Sequence, residues 1–237
     1  MSISRWRDWN VTLHWPRALI FYMWIISGTF LSPSVDYLLL VLSIVAAFGY
    51  LQLTAYALDE LKGRHCDTNF SNRELVERAF TGSVIAVIVG FTILFLVTSS
   101  YIIAVMIMIG AIFVVAYNYE VLGAHSRIVF SIVWGAFPVL AHYILHTMQI
   151  PPVRVWVFAL FVAVFSYMHI ISYGNYMCLV KRCRDKETTK DCHGQACMVR
   201  TTMVYKPIHH LQKKITGLQT WLVVLIAMFI VVIYYGC

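Results

Sequence analysis

Seven apolar runs, joined by connections that alternate between very short and strongly basic, leave this chain few ways to fold. A membrane-spanning helix needs about 20 mostly apolar residues. Runs of that kind fall at 17–35, 37–58, 79–98, 100–118, 128–148, 153–177 and 218–236. The connections after the first, third and fifth runs are "SPSVD", "TSS" and "TMQIPP". Those after the second, fourth and sixth carry the cations: Lys62, Arg64, Arg73 and Arg78, then Arg127, then nine Lys or Arg between Lys181 and Lys214. With Arg5, Arg7 and Arg17 at the start, every basic cluster falls on one side, which the positive-inside rule assigns to the cytoplasm. The expectation is an all-α polytopic bundle of about seven spans in the cell membrane, N-terminus cytoplasmic and C-terminus outside.

Composition agrees. Only 12% of the 237 residues are charged and 60% are hydrophobic, with a mean hydropathy of +0.75. Soluble domains carry about 25% charged residues. The net charge of +7 suits anionic lipid headgroups. Nucleic acid is not expected as a partner, because the cations lie beside the apolar runs. Cys66, Cys178, Cys183, Cys192 and Cys197 fall in or beside cytosolic basic segments, where thiols stay reduced, so no disulfide framework is expected. A retinal protein is excluded, since the last run, "WLVVLIAMFIVVIYYGC", has no Lys for a Schiff base.

Four regions follow: an N-terminal interfacial segment at 1–16, a six-helix membrane core at 17–177, a cytoplasmic basic loop with an amphipathic helix at 178–217, and a final span at 218–237. In the third, Val204, Ile208, Leu211 and Ile215 are spaced by four, three and four residues, and Lys206, His209, His210, Lys213 and Lys214 fill the other face. That pattern predicts a basic helix lying on the membrane surface.

The chemistry gathers after the second run, in "LDELKGRHCDTNFSNRELVERAF". Asp59 and Glu60 close the apolar stretch, and Asp67 follows eight residues after Asp59. Carboxylates at membrane depth face a cavity or a partner. Mg²⁺ takes one or two carboxylates together with substrate phosphate oxygens, and Lys62, Arg64 and Arg73 would meet remaining phosphate charge. An interfacial acid paired with its own neighbours explains the same residues. Ser71 and Glu74 are spaced as a helix-start capping box.

The fourth connection holds Tyr117, Tyr119, Glu120, Gly123, His125 and Arg127, and Gly135 and Pro138 lie in the next run. A proline there can kink the helix, and interfacial tyrosines are ordinary aromatic-belt residues. His142 and His146, one turn apart, have the spacing of metal or haem ligands, but no third histidine lies at their depth; a packing role fits better. Cys183, Cys192, His193 and Cys197 lack the short C-x₂₋₄-C pairs of structural zinc sites. Palmitoylation of Cys178 or Cys183 fits their position as well.

An acid motif ending the second helix, a "SNREL" stretch entering the third, a Tyr-x-Tyr after the fourth and a Gly/Pro-bearing fifth together resemble the UbiA superfamily of intramembrane prenyltransferases, over roughly Ala18 to Arg184. The resemblance implies a helical bundle with a cytoplasm-facing cavity that binds an isoprenyl diphosphate through Mg²⁺ and passes the prenyl group to a lipophilic acceptor. It assigns Asp59 and Glu60 to catalysis, Asp59 and Asp67 to the metal, Arg64 and Arg127 to phosphate, and Tyr117 and Tyr119 to the acceptor side. The chain departs from the family in three ways. The first motif's four-residue interval reads Ala55, Asp59, Gly63. The inner end of the sixth run, "HIISYGNYMCLVKRC", has no carboxylate. The family usually has nine spans, against seven runs here. A non-catalytic member, binding a lipid or quinone-like molecule or serving as a subunit beside membrane-protein partners, is the competing expectation.

Overall fold

The computed structural model describes residues 15–61, 70–97, 101–119, 126–184 and 205–236. Among them there are seven helices and no strand. We number them α1 (Trp15–Phe30), α2 (Tyr37–Leu61), α3 (Asn72–Leu96), α4 (Tyr101–Tyr119), α5 (Arg127–Thr147), α6 (Val153–Arg184) and α7 (Tyr205–Gly236). Four are long and apolar enough to cross a membrane: α2, α3, α5 and the Val153–Ser172 part of α6. Shorter apolar stretches occupy α1, α4 and α7. This is the composition of a membrane protein, and its large exposed apolar side chains agree. Phe80, Phe91 and Phe95 on α3, Leu160 on α6 and Leu218, Trp221 and Phe229 on α7 all point outward, as a lipid-facing surface requires.

Local chemistry sets the helix starts. Asp36 caps α2, its carboxylate accepting from the Leu38 and Leu39 N–H groups at 2.9 and 3.1 Å. Ser71 and Glu74 form the capping box expected from the sequence, each side chain meeting the other's backbone N–H, which satisfies two donors that a helix start leaves open. Because that box opens α3, the helix begins at Asn72 and not near 79, adding two turns ahead of the apolar run.

Two helices widen in mid-course. Phe48–Ala55 in α2 and Ile132–Ala136 in α5 wind as π-type turns. In α5 the widening lies just before Pro138, which has no N–H to give to the carbonyl four residues back. The helix widens there and continues to Thr147.

The main core joins α1, α5, α6 and α7 through Ile20, Trp24, Val139, Tyr143, Val155, Ala159, Val162 and Val223. Trp24 meets the edges of Phe158 and Phe165 at centroid distances of 6.4 and 5.9 Å. A second cluster ties α2, α3, α4 and α5 together through Leu39, Ile93, Ile103 and Leu145. Glycines mark the closest approaches. A Cβ at Gly28 would strike the Val139 backbone, one at Gly135 the Val162 carbonyl, and one at Gly49 the Gly82 carbonyl. Lipid is as apolar as leucine, so association in a bilayer depends on such close packing.

The basic segment at 204–215, expected as a helix on the membrane surface, and the last apolar run belong to one helix: α7 runs 32 residues from Tyr205 to Gly236, about 48 Å at 1.5 Å per residue. Likewise α6 runs on to Arg184, past the expected end at 177.

Candidate functional site

The acids sit where the sequence places them, on the last turns of α2. Tyr56 and Ala57 are buried there, while Asp59 and Glu60 are half-buried. This end of α2 packs against α3. Two turns earlier the widened segment brings polar groups to the same seam. The Thr54 hydroxyl lies 3.2 Å from the Gly49 carbonyl, 3.0 Å from the Ala79 carbonyl and 3.2 Å from the Ser83 hydroxyl. Buried Gln52 accepts a 2.9 Å hydrogen bond from the Tyr22 hydroxyl of α1. Buried polar groups in a membrane need such partners, because no water competes for them.

Beyond the acids, the Arg78 guanidinium lies 3.6 Å from the centre of the Phe70 ring, a cation–π contact. Arg73 pairs with Glu77 at 2.8 Å on the exposed side of α3. This ion pair is solvated. Arg127 is buried in the first turn of α5, after the Ser126 cap that accepts from the Val129 N–H at 3.2 Å. That turn packs against α6. The aromatic residues that follow form a stack: Phe130 lies parallel to Trp134 at 5.0 Å, and Phe21 of α1 meets Trp134 edge-on at 5.2 Å.

The acids therefore belong to the α2–α3 pair and Arg127 to the α5–α6 pair, with α1 touching both: Tyr22 reaches Gln52 on one side and Phe21 reaches Trp134 on the other. Arg64 and Asp67 lie outside the described residues. Tyr117 and Tyr119 fall in the last turn of α4, and their side chains also lie outside them, as does Cys192–Cys197. Among the described residues no group of three or more His, Cys, Asp or Glu is placed to hold a metal ion. Asp59 and Glu60 alone are enough for a Mg²⁺ whose other ligands are phosphate oxygens and water, and too few for a protein-enclosed metal.

His142 and His146 do not share a ligand. His142 Nδ1 bonds the Pro138 carbonyl at 2.7 Å, one turn back in its own helix. His146 Nδ1 accepts from the Asp36 N–H at 3.1 Å, and its Nε2 lies 3.2 Å from the Thr29 hydroxyl. Both have packing roles. Buried His169 gives Nδ1–H to the Gln219 side chain at 3.2 Å, clasping α6 to α7. Sequence reasoning missed the His146 contacts, the Tyr22–Gln52 bond and the Thr54 node. The small-residue set Gly49, Thr54, Ala79, Gly82 and Ser83 was the one available signal, since such residues mark close helix contacts in membranes. No family model, curated protein or solved structure matches the chain.

Proposed function

We propose that this protein is a seven-span UbiA-like membrane protein that binds an isoprenyl diphosphate at the end of the bundle carrying Asp59, and transfers its prenyl group to a lipophilic acceptor. The observation that carries the reading is the adjacent, half-buried pair Asp59 and Glu60 on the last turns of an apolar helix. Carboxylates at the membrane depth of a helix end face a cavity or a partner. A Mg²⁺–diphosphate would be such a partner, the ion taking one or two carboxylates with phosphate oxygens and neutralising charge on the departing diphosphate. The Phe21, Phe130 and Trp134 cluster offers an apolar, polarisable wall suited to an isoprenoid chain. In this reading the basic connections face the cytoplasm, and Arg64, Asp67, Tyr117, Tyr119 and Arg127 complete the site.

A second reading is a non-catalytic protein that holds a lipid or quinone-like molecule, or a subunit of a membrane complex. The sequence at the inner end of α6 favours it, because Gly174–Cys183 contains no carboxylate for a second metal cluster.

Lipid mass spectrometry on the detergent-purified protein, paired with a transfer assay using labelled isoprenyl diphosphates, separates the two. The enzyme reading expects a bound isoprenoid and label moving into a lipid-soluble product, lost in Asp59→Asn. A bound quinone-like lipid without turnover selects the second reading. Bulk phospholipid alone, with no turnover, overturns both ligand proposals.

A further inference from the structure

At the end of the bundle opposite Asp59, one side chain joins three helices. His146 lies in the last turn of α5. Its Nδ1 is 3.1 Å from the backbone nitrogen of Asp36, and its Nε2 is 3.2 Å from Oγ1 of Thr29, near the end of α1. The Asp36 N–H is a donor outside the α2 helix ladder, of the kind that a helix start must satisfy from elsewhere. An amide N–H can only donate, so Nδ1 carries no proton and accepts. The single ring proton of neutral imidazole is then on Nε2, directed at Thr29.

The neighbourhood is otherwise committed. The Asp36 carboxylate turns into its own helix, accepting from Leu38 and Leu39. The Ser32 hydroxyl lies 2.5 Å from both the Thr29 and the Ser34 carbonyl in the α1–α2 connection, with its one proton to give to either. Met148, in the left-handed conformation with φ 54°, ends α5 directly after the joint.

We infer that His146 is a proton-sensitive latch fastening the α1–α2 corner to α5. A second ring proton must go onto Nδ1. There it sets one N–H against another, and the Asp36 amide loses its acceptor. His142, four residues earlier, is built differently. When its Nδ1–H donates to the Pro138 carbonyl, a proton added at Nε2 leaves that bond in place. The other titratable or charged groups of the elements meeting here are Tyr37 on α2, Tyr101 at the start of α4, Tyr143 on α5 and Arg154 at the start of α6. Among the described residues Asp36 is the anion beside an imidazolium here, and reaching it means leaving the helix cap.

The sign follows from linkage. A proton on Nδ1 is compatible with the unlatched ring and not with the Asp36 N–H bond, so acidification favours the unlatched state. The test measures melting temperature in detergent from pH 7.5 to 5.0 for the wild type and for His146→Asn, whose amide cannot titrate. The wild type should lose about 5 °C more than the variant over this range. Hydrogen exchange of the Asp36 amide in the wild type, corrected for its intrinsic rate, should accelerate by about tenfold or more on the same titration. That second arm decides the matter even if His146→Asn does not fold. Equal pH dependence of the two proteins, an Asp36 amide equally protected at both pH values, or a wild type that gains stability in acid through a His146–Asp36 ion pair would each overturn the latch.

Discussion

The α2–α3 seam and the α1–α5–α6–α7 core face the same solvent and are held together differently. The core interlocks large apolar side chains around Trp24, with glycine contacts at Gly28 and Gly135. The seam has glycines on both sides, Gly49 against Gly82, and a hydroxyl node in which Thr54 meets carbonyls of both helices. In water the first arrangement would dominate through burial of apolar area. In lipid that drive between helices is absent, so two backbones touching at glycines, with a side-chain hydroxyl bonded across them, can stand in for a large side-chain core. The seam also sits directly beside Asp59 and Glu60. Holding it without bulky side chains brings the acid-bearing end of α2 tight against α3.

The largest effect that tests this contrast comes from adding carbon at the seam. Gly82→Val puts side-chain atoms into the Gly49 backbone and the Thr54 side chain, where no rotamer offers an escape. Overpacking against a rigid neighbour should cost about 3 kcal/mol, seen as failed expression or a collapsed melting temperature in detergent. Gly90→Val, on the same helix but with nothing within 4 Å of its would-be Cβ, should behave as wild type. If the two variants are equally stable, the seam is not a close contact.

A smaller loss is expected for Thr54→Val, which keeps the shape and removes the hydroxyl. Side-chain hydrogen bonds between membrane helices contribute roughly 1 kcal/mol, so a modest fall in melting temperature should appear. A neutral result would assign the seam to packing alone. The smallest effect belongs to the core. Ser166 is buried against Gly135, and among the described residues its hydroxyl has no hydrogen-bond partner. Replacing such a group removes an unsatisfied dipole, so Ser166→Ala should be neutral or raise stability by up to about 0.5 kcal/mol. A clear loss would mean that the hydroxyl anchors α6 to something, and the division between polar seam and apolar core would fail.

Much of the helical architecture was legible in the sequence, because a bilayer demands long apolar runs and charges mark where they stop. The α3 start was legible to the residue, since Ser71 and Glu74 carry a local signature that needs no tertiary knowledge. Contacts across long separations were not. Thr29 and His146 are 117 residues apart, and neither has a neighbour pattern that announces the other. His142 and His146 at a four-residue spacing read as packing residues before ligands, but nothing in the spacing announced that one ring meets a carbonyl and the other an amide. The widened turns were hidden too, because π-type winding depends on the neighbouring helix as well as on residues such as Pro138. At the candidate site, the position of Asp59 and Glu60 followed from where an apolar run ends. Assigning Arg127 to a different helix pair from the acids required the packing itself.

Whether Asp59 binds a metal–diphosphate or merely marks an interface is decided most directly by ligand-linked stability. An isoprenyl diphosphate with Mg²⁺ should raise the melting temperature of the detergent-solubilised wild type, since a ligand bound only to the folded state stabilises it by about 2.7 kcal/mol at a hundred times its dissociation constant. The rise should vanish when Mg²⁺ is chelated and in Asp59→Asn, while that variant without ligand melts at or slightly above the wild-type temperature. No Mg²⁺-dependent shift with several chain lengths, or an unliganded Asp59→Asn that is strongly destabilised, would contradict the account and leave Asp59 a structural acid of the α2–α3 seam.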